Sequence, residues 1–418
     1  MGKQHIIELN LDAMAHGGQA LGRLEGKIVF VPGAIPGEVV RARIVEGRTS
    51  TSARKRWARA ALVSVLEPSP HRVEPPCPYF GVCGGCHWQY IAYEAQLDYK
   101  RQVVVDQLQR LGHLQDPPVR AVIGMPEPWS YRNHVQFALS ESGHPGLQAA
   151  RSHDVVPIEQ CMVLHPLLDE LHAALDVDWP ELKRLSLRAG IHTGERMCIL
   201  ETAAFQLPEL EVDVPVSCVL RLPDGTEATL IGSSAYHEVV RGKQFRVSAS
   251  SFFQANTEQT EVLLDIVQAY LDPQMDDTVL DVYCGVGTLG LSVQKEVRRV
   301  IGIEDHPAAI ADARVNAGDA GDVTFVEGKA EALLPGLQEQ VSKVILNPPR
   351  RGCRPEGIEA LLRLMPRRIV YVSCDPATLA RDAVPLMDGG YRLAKVQPVD
   401  MFPQTYHVET VSLWRPLE

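Results

Sequence analysis

Hydrophobic and polar positions change their period several times along this chain, and each change marks a different kind of element. Within residues 1–66, apolar residues alternate with polar ones from Lys27 to Val31 and from Glu38 to Val45, with Gly and Pro between the runs. Period-two alternation broken by turn residues predicts short half-buried strands, and several so close together predict a small β-barrel. A Pro-rich stretch at 67–78 ends that unit. From about Ile91 to Leu111 the apolar residues recur at helical spacing, which predicts an amphipathic helix. Strand-like runs return over 118–250, with turns such as SESGHPG and LPDGT, and predict a curved β domain. From Ser251 the texture changes again. TEVLLDIVQAYL reads as a helix, and short β-branched runs (TVLDV, RRVIGIE, DVTFVEG, VSKVILN, RRIVYVS) then alternate with helical segments. That alternation predicts a mostly parallel, doubly wound α/β sheet. The expected organisation is multidomain, α/β plus β: a barrel over 1–66, a central β-rich domain over 67–250 and an α/β domain over 251–418.

Length agrees, because 418 residues exceed one ordinary core. No apolar run reaches the roughly 18 residues of a membrane helix. The N-terminus lacks the basic-then-apolar layout of a signal peptide, so a cytoplasmic protein that does not use the membrane is expected. The net charge of −11 speaks mildly against nucleic acid, but the charge is uneven. Arg41, Arg43, Arg48, Arg54, Lys55, Arg56 and Arg59 face Glu46 alone, a cluster that fits either a phosphate footprint or a solvated face.

Candidate chemistry begins at Asp281, where an apolar strand runs into a turn containing Gly285 and Gly287 before a helix. Glycines there let the backbone pass close to a ligand, and Glu304 at the end of the next strand is placed to accept both hydroxyls of a ribose. Gly285, Gly287 and Gly290 also spell a dinucleotide fingerprint, so this stretch alone fits NAD as well as S-adenosylmethionine. The Asp four residues before the first Gly and the Asn347-Pro348-Pro349 ending of a later strand favour the methyl donor. No dehydrogenase catalytic set follows.

Cys374 directly follows the apolar run IVYVS and precedes Asp375-Pro376, a strand-to-helix turn at the edge where open α/β sheets bind ligands. Helix-terminal N–H groups there would favour a thiolate. An isolated cytosolic cysteine is more often buried and inert, so position alone leaves both readings open. His407 and Glu409 alternate at the start of a late strand and so share a face. A desolvated Glu on the ligand edge can accept a proton. Together the residues suit methylation of uracil C5: thiolate addition at C6 makes C5 electron-rich, and a base then removes the C5 proton.

Cys77, Cys83 and Cys86 have the spacing of a cofactor loop, with Gly84 and Gly85 allowing a tight turn. Cys161 is the best fourth ligand. Four thiolates suit zinc or an iron–sulfur cluster, and a three-plus-one arrangement leans toward [4Fe–4S].

In combination, CPYFGVCGGC with Cys161, SFFQAN, DVYCGVGTLGL, GIE, NPPRRG, VSCDPATLARD and HVET resemble the RNA uridine-C5 methyltransferase family over essentially the whole chain. The resemblance implies an OB-like TRAM barrel, a central iron–sulfur domain and a class I, Rossmann-like methyltransferase domain, with the helix near 91–111 packed on the last. It implies that Gln254, Tyr283, Glu304 and Asn347 contact S-adenosylmethionine, that Cys374 is the nucleophile and Glu409 the base, and that Cys77, Cys83, Cys86 and Cys161 hold a [4Fe–4S] cluster. The family more often has Asp at the position of Asn347, which brings no charge. Members with both barrel and cysteine cluster mostly modify 23S rRNA, so that RNA is expected, with tRNA as the alternative, acting on a flipped-out base. A monomer is expected. The rival readings are an NAD-dependent iron–sulfur oxidoreductase, which would leave Cys374 and Glu409 idle, and an RNA-binding factor without activity.

Overall fold

The computed structural model describes residues 6–46, 57–141, 143–150, 152–175, 179–205, 212–319 and 321–417. Its first strands, Ile6–Met14, Ala20–Leu24, Lys27–Val31, Val39–Glu46 and Trp57–Glu67, close into a barrel. Alternation does the work expected of it: Ile7, Leu9 and Leu11 point inward while Ile6 and Glu8 face water. Closure leaves no open edge to pair with another chain. Of the basic cluster, Arg48, Arg54, Lys55 and Arg56 lie outside the described residues. Arg41 pairs with Glu8 at 2.8 Å and Arg59 with Glu46 at 3.5 Å.

The central region is a seven-stranded sheet, largely antiparallel, running from Glu227–Ile231 at one edge to Val155–Pro157 at the other. The helix Pro166–Ala174 covers it, burying Leu168 and Leu171 against Leu185, Leu187 and Leu200. A separate hairpin, Ala235–Val240 with Lys243–Ser248, bridges the central sheet, where it meets Met197, Ile199 and Val219, and the unit that follows. Its Tyr236, Val240, Phe245 and Val247 share a core with Leu263, Leu264 and Val267 of the helix Thr257–Leu271.

The last sheet places its strands in the order Asp322–Glu327, Arg299–Glu304, Thr278–Val282, Lys343–Leu346, Arg368–Ser373, Glu409–Pro416 and Tyr391–Val399. All neighbours are parallel until Glu409–Pro416, which runs antiparallel to both strands beside it. This is the doubly wound sheet that the alternation of strands and helices predicts, and its strand order reverses beside Thr278–Val282, where such sheets open a ligand crevice. The helix Tyr93–Arg110 docks on this unit: its Val104 and Leu108 join a core with Leu379, Ala380 and Ala383 of the helix Pro376–Asp388. Among the described residues no helix is long and apolar enough to cross a membrane.

Candidate active site

Thr278–Val282 is buried throughout and delivers the chain to a tight turn. Tyr283, Gly285 and Gly287 take positive φ values of 64°, 55° and 87°, a conformation natural to Gly and costly for Tyr. The N–H groups of Tyr283 and Cys284 donate to the carbonyl of Ile303, which fixes the turn to the neighbouring strand. A Cβ on Gly285 would meet nothing, because this glycine faces a cavity of about 1060 Å³. Gly287 stands behind the wall instead, packed on Leu291 and Phe325. Gly290 lets the helix approach the strand: its N–H donates to Asp281 Oδ2 at 2.7 Å, and a Cβ would sit 2.9 Å from that oxygen. Asp281 therefore braces strand against helix, and burial pushes its carboxyl up to about 7.

Glu304 accepts from Gly285 N at 3.0 Å with one oxygen and from Asp305 N and His306 N at 2.9 and 3.0 Å with the other. Burial raises its pKa, the bonds from His306 and Gly285 oppose that, and Asp305 adds to it. Gln254, Tyr283 and Asn347 line the same cavity, so five of the six residues expected at the methyl donor face one space.

Cys374 ends the neighbouring wall. Ser373 pairs with Thr410 at the end of the antiparallel ladder, and Cys374 and Glu409 are the next residues on the two sides. Thr410 Oγ1 donates to Ser373 O at 3.1 Å, locking that register. Cys374, Glu409, His407 and Arg350 all line the cavity that holds the donor turn. Glu409 is wholly buried, which alone pushes its carboxyl up to about 8. Burial first, and then the charge of Glu409, push the Cys374 thiol up to about 11, while Arg350 opposes.

That overturns the expectation of a helix-stabilised thiolate. The first free N–H groups of the helix Pro376–Asp388, on Ala377 and Thr378, both donate to Asp375 Oδ1. The cap consumes the donors that were to favour the thiolate. His407 also differs from expectation in standing before the strand, which begins at Glu409. Its ring lies 4.3 Å from that of Tyr406, and burial followed by Arg350 lowers its pKa to about 3, so it is neutral at ordinary pH.

Cys77, Cys83, Cys86 and Cys161 are free, half-buried, and line one end of the same cavity. Gly85 N lies 3.4 Å from Cys83 Sγ, as the two glycines predicted. Burial first pushes the Cys86 thiol up to about 12, with the other three cysteines adding to it. Among the described residues, no three His, Cys, Asp or Glu side chains converge in the manner of ligands to a single ion. The four side chains share one cavity, and the described residues show no assembled metal site there.

The structure adds residues that sequence reasoning passed over. Lys100 and Asp400 form an ion pair with no exposed side-chain surface, beneath the segment leading to Glu409. The signal was present: Lys100 interrupts the buried stripe Ala95, Tyr99, Val103 and Val104 of its helix. His16 of the barrel comes within 3.6 Å of Asp375, and Gly18 packs on Tyr406. Nothing local in the sequence marks that contact.

Residues 237–415 match the family model described as tRNA (uracil-5-)-methyltransferase, and residues 6–54 match the TRAM domain. An uncharacterized RNA methyltransferase of Gloeobacter violaceus is 38% identical over 97% of this chain and 95% of its own. One from Streptomyces avermitilis is 38% identical over 100% of this chain and 99% of its own. Among solved structures, a Pyrococcus abyssi tRNA (uracil-54, C5)-methyltransferase in complex with S-adenosyl-L-homocysteine is similar, with a TM-score of 0.72 and 26% identity. That match covers 98% of this chain and 100% of the archaeal one.

Proposed function

Because the chain belongs to the S-adenosylmethionine-dependent RNA (uracil-5-)-methyltransferases, we propose that it methylates C5 of a 23S rRNA uridine through a covalent bond between Cys374 and C6. The observation that supports this reading is that Cys374 and a buried Glu409, just past the last pair of their ladder, line the same cavity wall as the donor turn, close enough for the charge of Glu409 to act on the thiol.

Cys374 loses its proton to solvent and its sulfur bonds to C6, sending the C5=C6 electron pair toward O4 as an enolate. C5 then takes the methyl group from the sulfonium, which leaves as S-adenosylhomocysteine. Glu409, as carboxylate, removes the C5 proton; the C5=C6 bond re-forms and the C6–S bond breaks, returning the thiolate. Glu304 holds the ribose hydroxyls of the donor, while Gln254, Tyr283 and Asn347 fix its position. The neutral amide of Asn347 offers hydrogen bonds without repelling the electron-rich base. Arg350 opposes the high pKa of Cys374 and so favours its ionised form.

Cys77, Cys83, Cys86 and Cys161 would hold a [4Fe–4S] cluster. Bound there, it would supply a structural cross-link, since methyl transfer consumes no electron. The 23S reading rests on the barrel and the four cysteines occurring together. A T-loop uridine of tRNA is the second reading, favoured by the full-length likeness to the archaeal enzyme.

Cys374→Ala should abolish both methylation and the denaturant-stable adduct with RNA carrying 5-fluorouridine. Normal turnover by that variant sinks the mechanism. Mass spectrometry of 23S rRNA and tRNA from a deletion strain should show 5-methyluridine missing from the rRNA; its loss from tRNA alone transfers the assignment to the T-loop.

A further inference from the structure

Asp400 begins a segment, residues 400–407, that has no helix or strand yet is largely buried: Met401, Pro403, Gln404 and Thr405 are all inside. The segment leads directly into Glu409, and Phe402, Thr405 and His407 on it line the reaction cavity. An irregular buried segment keeps one shape only if its polar groups are bonded from outside.

Most of that bonding comes from elsewhere in the chain. Lys100 Nζ donates to Asp400 Oδ1 at 2.5 Å and to Phe402 O at 3.1 Å. Tyr93 OH, two turns earlier on the same helix, donates to Asp400 Oδ2 at 3.0 Å. Gln96 and Gln404 exchange bonds: Gln96 Nε2 to Gln404 Oε1 at 3.0 Å, and Gln404 N to Gln96 Oε1 at 3.1 Å. His87 N and Trp88 N, just after the cysteine loop, both donate to Gln404 O.

Stability does not explain the ion pair at the root of this network. Both side chains are wholly buried, and desolvating two such charges costs several kcal/mol that their attraction often fails to recover. Apolar replacements of similar size frequently serve stability as well or better. What an apolar pair cannot do is fix Phe402 O and both oxygens of Asp400 in one geometry. Lys100 is absent from the cavity wall and so has no route to the substrate itself.

We propose that Lys100 and Asp400 are positioning residues for removal of the C5 proton, holding segment 400–407 so that Glu409 is aimed at the bound base. This rests on the reading of Cys374 as nucleophile and Glu409 as base. It separates two steps: a misplaced Glu409 leaves addition and methyl transfer intact and slows only the resolution of the adduct.

The test uses the full-length protein carrying Lys100→Met together with Asp400→Leu, so that no buried charge is left unpaired. On RNA with natural uridine, turnover should fall about tenfold or more, the scale expected when a reacting group is misplaced by a fraction of an ångström. A covalent, methylated enzyme–RNA adduct should accumulate at the same time. Adduct formation with 5-fluorouridine RNA, which stops before proton removal, should match the unaltered protein, as should affinity for S-adenosylmethionine. Unaltered turnover on natural RNA by the double variant overturns the proposal. Should that variant bind no S-adenosylmethionine, Tyr93→Phe decides instead: adduct accumulation supports the proposal and unaltered turnover overturns it. Failure of the unaltered protein to form any 5-fluorouridine adduct refutes the covalent reading itself, and is seen before either variant is made.

Discussion

Glu409, the proposed base, shows what one buried carboxyl costs the fold. Its carboxyl is shifted by burial from an ordinary 4.5 to about 8. Between those values the folded protein keeps a proton that the unfolded chain has already released. Folding therefore binds protons in that window, and stability falls as pH rises through it; below 4.5 the contribution is fully present. Glu409→Gln preserves the shape and removes the ionisation. At pH 9 that variant should be more stable than the unaltered protein by roughly 2–5 kcal/mol, with the gap in melting temperature closing as pH drops toward 5. A gap that stays constant with pH would show that Glu409 is not buried as a titrating acid. The same shift predicts an activity profile. Proton removal needs the carboxylate, so the rate of adduct resolution should climb with pH to about 8 and then level. Cys374, pushed up to about 11, adds a second rise above that level wherever addition limits the rate.

At the scale of elements, the helix Pro376–Asp388 ends its own usefulness to the thiol by being well capped. Asp375 takes the two N–H groups that a thiolate would want, and its charge helps to raise the Cys374 pKa. Asp375→Asn keeps a good cap, since Asn and Asp rank alike at that position, but removes the charge. Alkylation of Cys374 by iodoacetamide at pH 8 should become faster while unfolding free energy changes by no more than about 0.5 kcal/mol. Slower alkylation would mean that the cap, not the charge, governs the thiol. The strand-to-helix turn itself was legible from VSCDP, because an apolar run, a polar turn and a Pro at the helix start are local signals. Whether the N–H groups were already taken was not legible, since it depends on which way one carboxylate turns. The same division holds elsewhere. Periodicity located the helix Tyr93–Arg110, yet nothing local pointed to the partner of Lys100, which lies 300 residues away. The hairpin Ala235–Val240 with Lys243–Ser248 read as part of the central β region, since period-two alternation names a strand and not the core it joins.

Over the whole molecule, the three regions meet at one place. The barrel is joined rigidly to the segment after it, where Arg72 makes a two-pronged bond to the buried Glu38 at 2.6 and 2.8 Å. On its other side the turn between its first two strands rests on the catalytic unit. Trp88 Nε1 donates to Gly18 O at 3.2 Å, and Gly18 lies so close to Tyr406 that a Cβ would come within 2.8 Å of that side chain. His16, two residues earlier, stands 3.6 Å from Asp375, the residue after Cys374. An RNA held by the barrel is thus held at a fixed distance from Cys374, which turns part of the binding energy into orientation at the reacting base. Gly18→Val breaks that contact in two ways, through the clash with Tyr406 and through a φ of +77° that a β-branched residue tolerates poorly. The variant should keep its affinity for S-adenosylmethionine, because the donor turn is built from other residues. Its radius of gyration by small-angle scattering should increase as the barrel swings free, and methylation of a structured RNA should slow by about tenfold or more. A larger radius with undiminished methylation would show that the barrel merely gathers RNA and leaves its placement to the catalytic unit.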